Sequence, residues 1–366
     1  MGIAEGDIEA WARDGDAGRV AALVGELAGQ RDALDARLQD LDRRLAQALR
    51  VLALTPGRDF LDRLLLLAPR VRRAEPRLLA SLVAEAHSLD DALYVIAEGG
   101  GDRRNDELRF CLFQELLLRG ADPDEVRRAA GPYFVPAWQG LAWLPDRLSD
   151  IERIEEKSRA SMFPSRSYNG GSHPVCSPSL AAPVPVDAAA RRTGAGLRLV
   201  ESASEAPLEA IAGPPTSGGW GACEAGVFRP EALEVRIEPE ELPGALAALP
   251  MDCLAGLGEQ ARFEVGPSSA REVWQILYAT ASCGGMYHRG AHGAYGRLAA
   301  WWSLRALAGA AATATAAEVE TAARACTWYR FEADTEWFHN EMSDYGIAAL
   351  TPDGRRLAVL AATDTD

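Results

Sequence analysis

Lysine is almost absent from this chain of 366 residues: Lys157 stands alone, and the other 37 of its 38 basic side chains are arginine. A Schiff-base or phosphate-loop lysine would have to be Lys157, and its setting, Ile151-Glu-Arg-Ile-Glu-Glu-Lys157, supports neither role. Paired cysteines are missing too. The six, at 111, 176, 223, 253, 283 and 326, form no CxxC pair, which excludes a zinc-finger or thioredoxin-like motif. No apolar run is long enough to span a bilayer, since the longest cluster, Phe60 to Val71, is broken by Asp62, Arg63 and Arg70. The opening Met1-Gly-Ile-Ala-Glu-Gly-Asp7 is acidic and lacks a signal-peptide pattern. Positive charge is in deficit throughout. Residues 1–150 carry 26 acidic and 20 basic side chains and residues 151–366 carry 27 and 18, for a net charge of −15. Such an acidic field opposes nucleic acid and anionic lipid. These absences predict a cytoplasmic protein with reduced thiols and neither nucleic-acid nor membrane partners. No cofactor is expected, because GxGxxG after a strand, GxxxxGK[ST] and HExxH are all missing.

What is present reads as ordinary globular sequence, 48% hydrophobic and 25% charged, in a chain longer than one core usually supports. Residues 1–150 predict a helical domain, either solenoid-like or an irregular bundle. A leucine stripe over 17–54 (Leu34, Leu38, Leu41, Leu45, then Val51 or Leu52) suits a helical hairpin or a short coiled coil. The coiled coil would make this segment a route to homo-oligomers. Pro56-Gly57, Pro76, Gly99-Gly100-Gly101 and Asp122-Pro123 punctuate the helices that follow. Aromatic residues and prolines gather over 131–147, as a cap on the helical domain or a surface for a protein partner. Residues 151–190, rich in Ser, Gly and Pro, read as a linker.

Residues 191–366 predict a mixed domain, α+β or α/β. Strands are expected at Leu197–Val200, Gly226–Phe228, Leu233–Ile237 and Arg262–Val265, and at the alternating run from Trp328. Ser269 with Glu272 and Thr315 with Glu318 are capping-box pairs that open helices. Tyr345–Leu350 and Arg356–Ala362, joined by Thr351-Pro-Asp-Gly354, predict a terminal antiparallel hairpin. A wholly parallel sheet is thereby excluded.

The densest chemistry lies in Cys283-Gly-Gly-Met-Tyr-His-Arg-Gly-Ala-His-Gly-Ala-Tyr-Gly-Arg297. Five glycines let the backbone approach a neighbour closely, and the amides of Gly284 and Gly285 could line an oxyanion hole beside a Cys283 thiolate. His339 is the candidate base for that thiol, with Glu336, Asp334 or Glu341 as its orienting acid. Tyr287, His288, Arg289, His292 and Arg297 are candidate ligand contacts, with a small anion as the natural ligand for the arginines. His288 and His292, four apart, would share a helix face suited to a metal, although the glycines argue against a helix there. The other polar-aromatic run, Trp328 to His339, adds Trp328 and Arg330 as candidates on the polar face of a strand. A tight helical connection, an inert buried cysteine and a half-buried sheet edge account for the same residues without chemistry.

Gly293-Ala-Tyr-Gly-Arg-Leu-Ala-Ala-Trp301 and the closing Thr351-Pro-Asp-Gly-Arg-Arg to Asp366 resemble an uncharacterised, mainly actinobacterial protein family of unknown function. That resemblance covers the last third of the chain and implies no activity. Two functions stay open: an interaction or regulatory protein with a small-ligand cleft in its C-terminal domain, and a thiol-dependent or metal-assisted hydrolase using residues 283–297 and 328–341.

Overall fold

The computed structural model describes the chain apart from residues 1–4, 33–37, 72–73, 99–101, 132–139, 155–162, 164–165, 168–169, 172–182, 195, 203, 233, 259–260, 286–287, 339–343 and 365–366. It divides into two compact units, one of residues 1–148 with 165–172 and 292–295, the other holding the remainder.

Helices α1 (Glu5–Arg13), α2 (Ala17–Asp32), α3 (Leu38–Leu54), α4 (Arg58–Leu67), α5 (Pro76–Ala86), α6 (Leu89–Glu98), α7 (Arg103–Leu118) and α8 (Pro123–Ala130) build the first unit. Local chemistry sets their ends. Gly57 precedes α4, Pro76 occupies the first turn of α5, and the Asp122 carboxylate accepts the Asp124 amide at 2.9 Å to open α8. The 17–54 stripe forms two helices that pack on each other, α2 on α3. Leu45, Leu49 and Leu52 are buried, and α3 also meets α4 and α5, so this part of the stripe is used inside the chain. Leu34 lies outside the described residues. Each such leucine contributes about 1.5–3 kcal/mol on burial.

The second unit is α+β. Its sheet is antiparallel at every pairing, in the order β3 (Val184–Pro185), β6 (Phe263–Ser268), β7 (Thr327–Ala333), β8 (Tyr345–Leu350), β9 (Leu357–Thr363), β5 (Ala222–Pro230), β4 (Leu199–Glu201). A two-residue pair, β1 (Arg166–Ser167) with β2 (Gly170–Gly171), belongs to the first unit. The terminal hairpin forms as the turn chemistry requires, with Gly354 at φ 66. Of the strand expected at Leu233–Ile237, Leu233 lies outside the described residues and 234–237 form no strand. Val235 closes a turn onto Ala232, and Ile237 makes a single backbone bond, to Gly354, while its side chain enters the core.

Register assigns the two faces. Phe331 pairs with Val265 and Gly346, and this face, with Leu350, Val359 and Phe228, packs against α12 (Leu242–Ala247) and Met251 to Leu254. The opposite face carries Arg330, Ile347, Leu360 and Ala225. Helices α9 (Ala188–Arg192), α10 (Glu205–Ile211) and α11 (Gly213–Gly218) precede β5, and α13 (Ala270–Cys283), α14 (His292–Leu307) and α15 (Ala316–Ala325) lie between β6 and β7 in sequence. The capping box on α13 is complete: the Ser269 hydroxyl accepts the Glu272 amide, and the Glu272 carboxylate accepts the Ser269 amide at 2.8 Å. That on α15, from Thr315 and Glu318, is complete as well. Arg356 closes the other end of α14, donating to the carbonyls of Leu307 and Ala306 at 2.6 Å each.

Candidate functional site

The glycine loop turns out to be a packing junction. Gly284 ends α13 at φ 82, Gly290 sits at φ 65, and the Ala291 amide returns to the Ala281 carbonyl at 2.7 Å. The Gly285 amide donates to the Gly218 carbonyl at 3.0 Å. A Cβ at Gly285 would lie 2.7 Å from the Asp364 carboxylate oxygens, and one at Gly219 would lie 2.4 Å from the His288 ring. Asp364 in turn accepts the Gly221 amide at 3.2 Å, and the Trp220 indole donates to the Thr280 carbonyl at 3.2 Å. What these glycines approach is another stretch of backbone, Gly218 to Gly221, and the carboxylate near the chain's end.

Cys283 departs from expectation. Its side chain is buried and its sulfur is held in a disulfide, so no thiolate is available there for nucleophilic attack, and the expected reduced thiol is not found. Since the Gly285 amide is already bonded to Gly218, the oxyanion hole expected from Gly284 and Gly285 does not form either. His339 and Tyr287 lie outside the described residues, and Glu336 is exposed. The remaining free cysteines among the described residues are Cys111, Cys253 and Cys326, all buried, and the exposed Cys223. Burial pushes the Cys326 thiol up to about 11 and raises those of Cys111 and Cys253 as well.

The two histidines do not share a helix. His288 and Arg289 are exposed in the loop, whereas His292 is the buried first residue of α14, at φ 61, a left-handed conformation that few non-glycine residues adopt. Among the described residues no three His, Cys, Asp or Glu side chains gather to hold a metal ion. In the first unit, the Gly293 amide donates to the buried carboxylate of Glu115 at 2.9 Å, and the Tyr295 hydroxyl donates to Glu107 at 3.0 Å. Glu107, Cys111 and Glu115 form one stripe of α7, a four-residue spacing readable in the sequence but masked there by apolar neighbours.

Arg297 was a candidate ligand contact and is an interior ion pair instead. Its guanidinium and the Glu152 carboxylate have no exposure to solvent. The Trp301 indole donates to the same carboxylate at 2.7 Å, and so does the Ser149 amide at 2.9 Å. Trp328 is likewise buried, its indole donating to the Ala323 carbonyl at 2.6 Å.

Arg330 differs from these. Strand β7 places it on the polar face between Trp328 and Glu332, half-buried, and among the described residues its guanidinium has no hydrogen-bond or ion-pair partner. Burial depresses its pKa, while Glu272 and Glu332 act on it through space. Glu332 is raised, first by burial and then by Glu264, which β6 aligns directly across from it. Arg262 bonds Glu264 at 2.7 Å and approaches Glu332 at 3.9 Å. Alternation from Trp328 made this polar face legible, but nothing in the sequence marked Glu264 or Glu272 as its neighbours.

A separate cleft of about 790 Å³ lies in the first unit, walled by Phe113, Leu141 and Leu144 with Arg127, Arg128 and Asp146 among its lining. It borders the aromatic and proline-rich segment, whose Pro132, Tyr133, Phe134 and Trp138 fall outside the described residues. No helix of the described residues is long and apolar enough to cross a membrane.

Comparison with known proteins places the chain in one family. Residues 4–366 match the model of a family of unknown function (DUF6183), and the chain belongs to that family. No curated protein and no solved structure matches it.

Proposed function

We propose that this member of the family is an interaction or regulatory protein that holds a small ligand on its α+β unit, through an anionic group of the ligand and the guanidinium of Arg330. The observation that carries the reading is the bonding state of that guanidinium. A half-buried arginine gives up part of its hydration and normally recovers the loss through hydrogen bonds to a carboxylate. Arg297 does so with Glu152; Arg330 has no such bond among the described residues. Five donors in a planar fork suit a carboxylate or phosphate approaching bidentately. Trp328 and Glu332 flank Arg330, two residues away on either side of the same face, on an interior strand of the sheet, which is a rigid platform for recognition. The thiol-hydrolase alternative loses its nucleophile to the Cys283 disulfide.

The test is a thermal-shift and calorimetric screen of small carboxylates, with and without an amino group, on the full chain and on Arg330→Met. Binding by the parent and not by the variant is expected. No binder in the screen, or equal binding by both proteins, overturns the reading.

A further inference from the structure

The charges around Arg330 constrain its ligand more tightly than one cation would. Glu332 follows it by two residues on the same face, so the two side chains leave the sheet about 7 Å apart. Glu264 stands across from Glu332 on β6, and Glu272, in the first turn of α13, acts on Arg330 through space. Asp344, just before β8, adds a further acid acting on Glu332. Arg262 is bonded to Glu264, the Glu272 carboxylate is committed to the Ser268 hydroxyl and the Ser269 amide, and Asp344 has an interaction of its own, which leaves Arg330 and Glu332 as neighbouring opposite charges with no hydrogen bond among the described residues. A ligand carrying only negative charge would gain Arg330 but meet the carboxylate of Glu332. A ligand carrying only positive charge would gain the carboxylates but face Arg330.

We infer that the ligand is a zwitterion of amino-acid type, its carboxylate on the Arg330 guanidinium and its ammonium beside Glu332. This rests on the carboxylate reading above and deepens it. Both halves of the site are met at once: the fork of Arg330 obtains two acceptors, and the half-buried carboxylate of Glu332 obtains a closer cation than Arg262 at 3.9 Å. The order of the groups follows from the strand, because an α-amino acid bridges charges that a period-two register holds side by side. Trp328, the neighbour of Arg330 on that face, is itself held by its bond to the Ala323 carbonyl.

The experiment is calorimetry on the full-length protein with the common protein amino acids, followed by matched analogues of the best binder lacking the ammonium or lacking the carboxylate. Loss of either group is expected to weaken binding about 10- to 100-fold, the value of one charge-assisted bond. Arg330→Met should abolish binding of the amino acid. Glu332→Gln should weaken the amino acid about 10-fold and leave the deaminated analogue unchanged. Circular dichroism and the melting temperature of each variant separate lost binding from lost folding. If the deaminated acid binds as tightly as the amino acid and depends on Arg330, the zwitterion is overturned and the carboxylate site stands. If the decarboxylated amine alone binds, or nothing in either series does, both are overturned.

Discussion

The guanidinium of Arg297 meets the carboxylate of Glu152 edge to edge, Nε to Oε1 at 2.5 Å and Nη2 to Oε2 at 2.7 Å, across 145 residues of sequence. Neither side chain is exposed, and Trp301 and Ser149 take the remaining acceptor capacity of the carboxylate. An arginine that looked like a ligand contact thus spends its fork on holding the first turns of α14 to the 149–152 segment. Removing one partner strands a charge in the interior. Glu152→Gln is expected to lower unfolding free energy by about 3–5 kcal/mol in urea denaturation. The double change Glu152→Gln with Arg297→Met should recover much of that loss, since it removes the stranded charge. Equal destabilisation by single and double variants would contradict the pairing.

Two glycines separate conformational need from helix propensity. Gly25 lies inside α2 with open space where a Cβ would go, so Gly25→Ala should stabilise the protein by about 0.5–1 kcal/mol. Gly285→Ala drives a methyl group onto the Asp364 carboxylate and should lower the melting temperature instead. The pair of thermal melts checks both signs. A neutral Gly285→Ala would mean that the junction of Gly285, Gly218 and Asp364 is not tightly packed.

Stability should fall at alkaline pH for a traceable reason. Burial raises the thiol of Cys326 from an ordinary value near 9 to about 11, and burial likewise raises Cys253, Tyr329 and Tyr345. The folded state therefore keeps these protons more firmly than the unfolded chain does. Their contribution is fully present below about pH 9 and is lost as pH climbs through the raised values. Urea midpoints are expected to be flat on this account up to about pH 9 and to drop by about pH 11, with a shallower drop in Cys326→Ala. A profile unchanged by that substitution would remove Cys326 from the explanation.

The disulfide at Cys283 gives a thiol count that reduction must change. Thiol titration of the unfolded chain should rise after reductant is added, and native protein should react first at the exposed Cys223. An unchanged count would return Cys283 to the free thiols.

Local chemistry was readable in the sequence wherever a few neighbouring residues decide the outcome. Ser269 with Glu272, Thr315 with Glu318, Asp122 with Pro123, and the Thr351 to Gly354 turn each carry their structure within a handful of positions. The alternation of Trp328, Arg330 and Glu332 exposed a polar strand face in the same way. Long-range partners were not readable. Glu152 sits in a stretch that composition assigns to a linker, and only the folded chain brings it to Arg297. The glycines of 284–296 announce close approach, yet their neighbours, Gly218 at one turn and Asp364 near the chain's end, are specified by tertiary packing. Leu233 to Ile237 alternates like a strand, but a strand needs a run of backbone partners, and among the described residues Ile237 bonds Gly354 alone.

The bonding state of Arg330 is the point on which the functional account turns, and the Nε–Hε resonance of that side chain reports it directly. In isotope-labelled protein, the arginine Nε–Hε peak that vanishes in Arg330→Met should shift and saturate as an amino-acid ligand is titrated, while the Arg297 peak stays fixed. A peak for Arg330 that does not move with any small carboxylate or amino acid would contradict the account.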